Sequence, residues 1–155
     1  MKILDRLPIN DRPHVISVGE DQVEVHRNQI IVWISIGNVL RPFPAVLDTG
    51  HGHNLSLSER HLSRWSGATL KLIGDLIMNN REAKQYEASV RVHRNVPTKF
   101  ELRGDTFPLE MPQGITVLPE GPRLPLLGLR TIVANKLKLF IDGDKQHVTL
   151  KKGWL

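Results

Sequence analysis

The sequence contains no cysteine among its 155 residues. Disulfide bonds, thiolate metal ligands and a cysteine nucleophile are therefore excluded, and the absence fits a reducing compartment. No apolar run reaches the roughly 18–20 residues that a membrane-spanning helix needs. The opening stretch, MKILDRLPINDRP, is charged and interrupted by proline, and so lacks the apolar core of a secretory signal. We expect a cytoplasmic protein without a membrane partner.

Aromatic residues are also scarce, at 5% of the chain. Lysine and arginine are scattered rather than gathered into a run, so the sequence lacks the stacking platform and basic stripe that nucleic-acid binding uses. A net charge of +5 permits weak attraction to polyanions and no more. We therefore expect no nucleic-acid partner.

The chain does contain the alternating pattern of β-strands. Residues 29–37, QIIVWISIG, are rich in β-branched side chains and end at a Gly-Asn turn. Residues 70–78 and 85–93 form a second predicted hairpin with a polar connection that begins at Asn79-Asn80. The pattern predicts a mainly β protein.

Short helices are predicted at only two places, after Ser58, a suitable N-cap, and over residues 129–136. The length suits one domain with a core of its own. We predict an N-terminal arm or weakly held strand over residues 1–13, followed by a single domain over residues 14–155.

One acidic motif stands out from this background. Asp48-Thr49-Gly50 directly follows the apolar residues Ala45-Val46-Leu47, which places the carboxylate at the end of a strand. Much later in the chain, two leucines precede Gly128 and the second predicted helix follows it. Taken together, these features resemble the retropepsin-like aspartic proteases, over roughly residues 14–150.

The resemblance implies a fold and a chemistry. The fold would be a closed, β-barrel-like single lobe with one or two short helices. Two carboxylates that share one proton would activate a water molecule against a peptide bond, with no metal or other cofactor. Asp48 would be the catalytic acid, the Thr49 hydroxyl would lock the turn, and the Gly50 amide would support the carboxylate.

The motif occurs once in the sequence, and no Asp-Ser-Gly accompanies it. A pair of catalytic carboxylates therefore requires two chains, with Asp48 facing its copy across a two-fold axis. The resemblance thus implies a homodimer that acts on a peptide or protein substrate. By the same resemblance, the hairpin over residues 76–84 would be a flap that closes over the substrate. The residues implied in substrate binding are His51, Ile77, Met78, Asn79, Asn80 and Gly128.

Two alternatives stay open at this point. The family usually has a small residue where this chain has His51, and a histidine there is placed to hydrogen-bond the catalytic carboxylate. This departure keeps open the alternative of a catalytically inactive relative that binds peptides or mediates dimerisation. In the second alternative, His51 and His53 bind a metal ion together with Asp48, as the ligands of a metal-dependent hydrolase.

Overall fold

The computed structural model describes residues 1–94 and 105–153, so parts of the predicted domain, residues 95–104 and 154–155, lie outside it. Over the described residues the chain is mainly β with two short helices, as predicted. The helices are a π-helix, His61–Ser66, and α1, Leu129–Ala134. The strands, in chain order, are β1 (Lys2–Pro8), β2 (His14–Val18), β3 (Asp21–Val25), β4 (Ile31–Ile36), β5 (Phe43–Asp48), β6 (Leu55–Ser58), β7 (Lys71–Met78), β8 (Arg81–Glu87), β9 (Val90–His93), β10 (Thr106–Leu109), β11 (Ile115–Leu118), β12 (Leu126–Gly128), β13 (Leu137–Asp142) and β14 (His147–Lys152). Neither helix approaches the length or apolar character of one that spans a membrane.

Nine of these strands form one sheet, in the order β10-β9-β4-β5-β12-β6-β11-β8-β7. The sheet is open, because β10 and β7 are its two edges, so the expected closed barrel is wrong for the described residues. A closed barrel would require the edge strands β7 and β10 to pair, and in the described chain they do not; Ile73 and Ile77 on β7 are instead exposed.

The centre of the sheet is its most apolar part. There β5 lies between β4, which runs antiparallel to it, and β12, which runs parallel. β5 pairs with β12 only from Val46 onward. Pro44 lies before this pairing, so its lack of an N–H group removes no hydrogen bond to β12. The largest side chains that are completely shielded from water come mainly from this region and include Ile34, Ile36, Phe43, Leu55, Leu57, Ile115 and Leu127.

The two ends of the described chain meet in a separate three-stranded sheet, in which β14 lies between β1 and β13. The segment predicted as an arm or weakly held strand thus contains a strand of seven residues, and the Met1 amino group donates to the Lys152 carbonyl oxygen at 2.8 Å. Ile3 and Leu4 of β1 are buried in the main core. These contacts are set by residues at opposite ends of the sequence.

Ser58, predicted as an N-cap, and Asn79-Asn80, predicted as a turn, both make the local contacts that these roles require. The Ser58 hydroxyl accepts a hydrogen bond from the His61 amide at 3.1 Å at the start of the helical segment. Asn79 and Asn80 both have positive φ, of 51° and 62°, and connect β7 to β8 as a two-residue turn. The second strand predicted for this hairpin, residues 85–93, is divided in the structure: β8 ends at Glu87, and β9 begins at Val90 and pairs with β4 and β10 instead.

Candidate active site

Asp48 is the last residue of β5 and its side chain is half-buried. The chain turns back at once, since the His51 amide donates to the Asp48 carbonyl oxygen at 3.1 Å. The Gly50 amide donates to Oδ1 of the Asp48 carboxylate at 2.9 Å. The backbone therefore fixes the direction of the carboxylate at the end of a rigid strand.

Gly128 lies beside this carboxylate in the next strand. In the parallel pairing of β5 with β12, Gly128 is opposite Asp48 and Leu127 is opposite Leu47. The loop over residues 49–54 passes so close to Gly128 that an added Cβ would overlap the carbonyl oxygen of His53 and lie 2.6 Å from that of His51. Only glycine allows the loop to pass this strand so closely.

The loop is also tied to the beginning of α1. The Gly128 amide donates to the Asn54 carbonyl oxygen at 2.6 Å, and the Leu129 amide donates to the His51 carbonyl oxygen at 2.8 Å. The hydroxyl of Thr131, which is fully buried, donates to the same Asn54 oxygen at 3.0 Å. Three bonds from one short segment thus hold the acidic loop against the sheet.

Asn54 is a residue of this site that the sequence analysis missed. It is buried, and its side-chain amide nitrogen donates to the carbonyl oxygens of Pro112 at 2.6 Å and Gly114 at 3.2 Å. Asn54 therefore joins the acidic loop to the segment before β11. The only signal in the sequence is a polar residue directly before the strand Leu55–Ser58, and many ordinary turns share it.

The hydrogen-bond partner of the His51 ring is Ser56 and not the acid. Its Nε2 lies 2.7 Å from the Ser56 hydroxyl, and no hydrogen bond joins it to the Asp48 carboxylate in the described chain. Burial lowers the pKa of His51 and repulsion from His53 lowers it further, while Asp48 acts in the opposite direction. The imidazole is therefore neutral at neutral pH, and its partner is not the one expected from the sequence.

The hairpin and the acidic loop share a cleft of about 250 Å³. Three predicted binding residues, His51, Met78 and Asn79, line it. Ile77 is 75% exposed and lines a neighbouring cleft, and Asn80 is exposed at the turn. The structure thus brings His51 and the tip of the hairpin together, but three of the six predicted contact residues, Ile77, Asn80 and Gly128, do not line this cleft.

The metal site proposed on the two histidines lacks its third ligand. The rings of His51 and His53 are 5.2 Å apart between centroids. Within residues 1–94 and 105–153, no group of three or more histidine, aspartate or glutamate side chains is arranged to hold a metal ion. Since a catalytic zinc needs three protein ligands, Asp48 and the two histidines do not form such a site.

Comparison with known proteins found no family model that matches the chain and no curated protein that is significantly similar to it. The assignment of a function therefore depends on the geometry of the chain's own residues. Its main elements are the carboxylate at the end of β5, the glycine opposite it in β12, and the hairpin beside the loop.

Proposed function

We propose that this protein is a retropepsin-like aspartic endopeptidase that acts as a homodimer. The observation that carries the proposal is the pairing of Gly128 with Asp48, which holds a strand-end carboxylate in a backbone loop enclosed by a second strand and a helix. Such rigid positioning of a single carboxylate is what an acid–base catalyst needs. The two sequence features on which the resemblance rests, Asp48 and Gly128, are thus neighbours in the fold, which supports the proposed chemistry.

The second carboxylate would come from a second copy of the chain. Within one chain the Asp-Thr-Gly motif occurs once. Thr49 and Gly50 are exposed, so the outer side of the loop is accessible to the same loop of another chain. A two-fold axis through this point would bring the Asp48 carboxylates together and let each Thr49 hydroxyl bond to the facing loop.

In the proposed reaction, two carboxylates so close together share one proton, because both cannot ionise at contact distance. The ionised carboxylate removes a proton from a water molecule while the water oxygen bonds to the substrate carbonyl carbon. The protonated carboxyl stabilises the oxyanion that forms. The C–N bond then breaks, the nitrogen leaves as an amine with a proton from the pair, and the other product is a carboxylic acid.

The environment of His51 supports activity over the inactive alternative. A cationic imidazole beside the pair would favour two ionised carboxylates and so disturb the shared proton. At neutral pH the lowered pKa of His51 keeps the ring uncharged, and the ring is hydrogen-bonded to Ser56 and not to the acid. At neutral pH the departure from the family pattern at this position is therefore compatible with the proposed chemistry.

The hairpin formed by β7 and β8 is suited to the role of a flap. Met78 at its end is buried against Ala83 and Leu118, so the hairpin is anchored near the cleft. Its tip, Asn79-Asn80, is exposed. An extended peptide bound beneath it would form strand-like hydrogen bonds with its backbone.

Replacement of Asp48 by Asn tests the proposal. We expect the wild-type protein to cleave members of a mixed peptide library between about pH 4 and 8, and a transition-state analogue of aspartic proteases to inhibit this cleavage. Asp48→Asn should lose the activity. Asp11→Asn, which changes an exposed carboxylate, is the matched control and should retain it.

Sedimentation equilibrium should show dimers for the wild type and for both variants. A wild-type dimer that binds peptides without cleaving any of them would contradict the proposal and favour the inactive module. Cleavage that survives Asp48→Asn would place the chemistry elsewhere.

A further inference from the structure

The cleft between the acidic loop and the hairpin has an asymmetric charge. Among the described residues that line it, Arg81, at the start of β8, is the only one with a formal charge at neutral pH, and none is an aspartate or glutamate. The rest of the lining is apolar or neutral: Met78, Leu118 and Leu126 supply apolar surface, and Ser56 and Asn79 supply hydrogen-bonding groups.

The Arg81 guanidinium is held in position by a hydrogen bond, but no carboxylate of the described chain neutralises its charge. Its Nη1 donates to the Glu120 carbonyl oxygen at 3.2 Å, which holds the group beside the loop over residues 119–122. In the described chain, no carboxylate forms an ion pair with it. A guanidinium has five N–H donors, so most of them stay available to a ligand in the cleft.

The neighbouring cleft has the opposite character. It holds about 470 Å³, and the described residues that line it include the carboxylates Glu59, Asp75 and Glu82 and one cation, Lys84. Arg81 and Lys84 thus belong to the same strand but face different surroundings. An anionic group would be attracted to the cleft of Arg81 and repelled from the other.

We propose that the cleft at His51, Met78 and Arg81 selects a substrate residue with a carboxylate side chain, and that Arg81 determines this specificity. The inference rests on the proposed peptidase function. The methylene groups of a glutamate would pack on Met78 and Leu126, and its carboxylate would accept hydrogen bonds from Arg81 and Asn79. A lysine at the same position would place its ammonium beside Arg81 with no carboxylate in the cleft to offset the repulsion.

Matched peptides test this inference. One peptide that the wild-type protein cleaves is prepared with Glu, Gln or Lys at each position around the scissile bond in turn. At one position we expect kcat/KM for Glu to exceed that for Gln by on the order of tenfold or more, as a charge-assisted hydrogen bond provides. The Lys peptide should be the poorest of the three.

The variant Arg81→Gln should bring the ratio of kcat/KM for the Glu peptide to kcat/KM for the Gln peptide close to one. Arg81→Glu should invert the order of the peptides, so that the Lys peptide becomes the preferred substrate. Lys84→Gln removes the same charge from the same strand and should leave the ratio at its wild-type value. A ratio that Arg81→Gln does not change, or that Lys84→Gln changes equally, would overturn the inference.

Binding separates failure of this inference from failure of the proposed function. The anisotropy of fluorescent Glu, Gln and Lys peptides measures their affinity for Asp48→Asn, whatever the activity of the wild type. A preference for Glu that requires Arg81 would support the cleft's specificity even if no peptide is cleaved. Equal affinities for all three peptides would overturn it even if cleavage is observed.

Discussion

Gly128→Ala is the substitution that most directly tests the geometry of the site. The new Cβ would overlap the His53 carbonyl oxygen, and both neighbours in contact with it are backbone atoms that cannot rotate away. Forced separation of the loop from β12 costs about 1–3 kcal/mol as overpacking. It would also break the bonds from Gly128 to Asn54 and from Leu129 to His51, at roughly 0.5–1.5 kcal/mol each. We therefore expect a loss of about 2–6 kcal/mol in the free energy of unfolding.

Urea denaturation followed by tryptophan fluorescence measures this loss. Gly52→Ala is the control, because Gly52 lies in the same loop, has no heavy atom within 4 Å of an added Cβ, and does not have the left-handed φ that an alanine would resist. We expect Gly52→Ala to stay within about 0.5–1 kcal/mol of the wild type. If Gly128→Ala is as stable as Gly52→Ala, the close contact between the loop and β12 does not exist, and the placement of Asp48 derived from it fails.

Two further predictions concern pH. The hydrogen bond from Trp65 Nε1, at 2.8 Å, is the main cause that lowers the pKa of Asp21, and Arg64 adds to it. The stability that the Asp21 carboxylate contributes is therefore present above its unfolded-state pKa of 3.8 and is lost as the pH falls through its lower folded value. Asp21→Asn should be less stable than the wild type in chemical denaturation at pH 7, with a deficit that shrinks below pH 3.8; a deficit independent of pH would contradict the role of the charge. Burial lowers the pKa of His61 from 6.5 to about 4. Between these pH values the unfolded chain binds a proton at His61 more readily than the folded chain, so the wild type should lose stability as the pH falls from 6.5 to about 4. His61→Gln should lack this part of the pH dependence, and identical slopes for both proteins would show that His61 is not buried in its neutral form.

Much of the local structure could be read from the sequence. Periodicity and β-branched residues predicted β4, the apolar stretch before Asp48 predicted β5, and Asn79-Asn80 predicted the turn of the β7–β8 hairpin. The two short helices were predicted near their observed positions. Each of these depends on side-chain preferences within a few neighbouring residues, and such preferences are visible in a single sequence.

The errors concern contacts between distant parts of the chain. A closed barrel was expected, but closure depends on whether the two edge strands pair, and in the described chain β7 and β10 do not. The sequence left open a hydrogen bond from His51 to the carboxylate, and the fold of the loop gives His51 Ser56 as its partner instead. Asn54 was missed because its role depends on carbonyl groups far along the chain, at Pro112 and Gly114.

The sequence by itself determined that the chain is rich in strands, has no thiol chemistry, and carries one acidic motif at the end of a strand. Only the tertiary structure decided that Gly128 lies opposite Asp48, that β1 pairs with β14, and that Arg81 shares a cleft with His51. The physical reason is that strand formation follows from local alternation of side chains, whereas register and partner depend on which distant surfaces pack together. In this protein the carboxylate was visible in the sequence, and its surroundings were made by the fold.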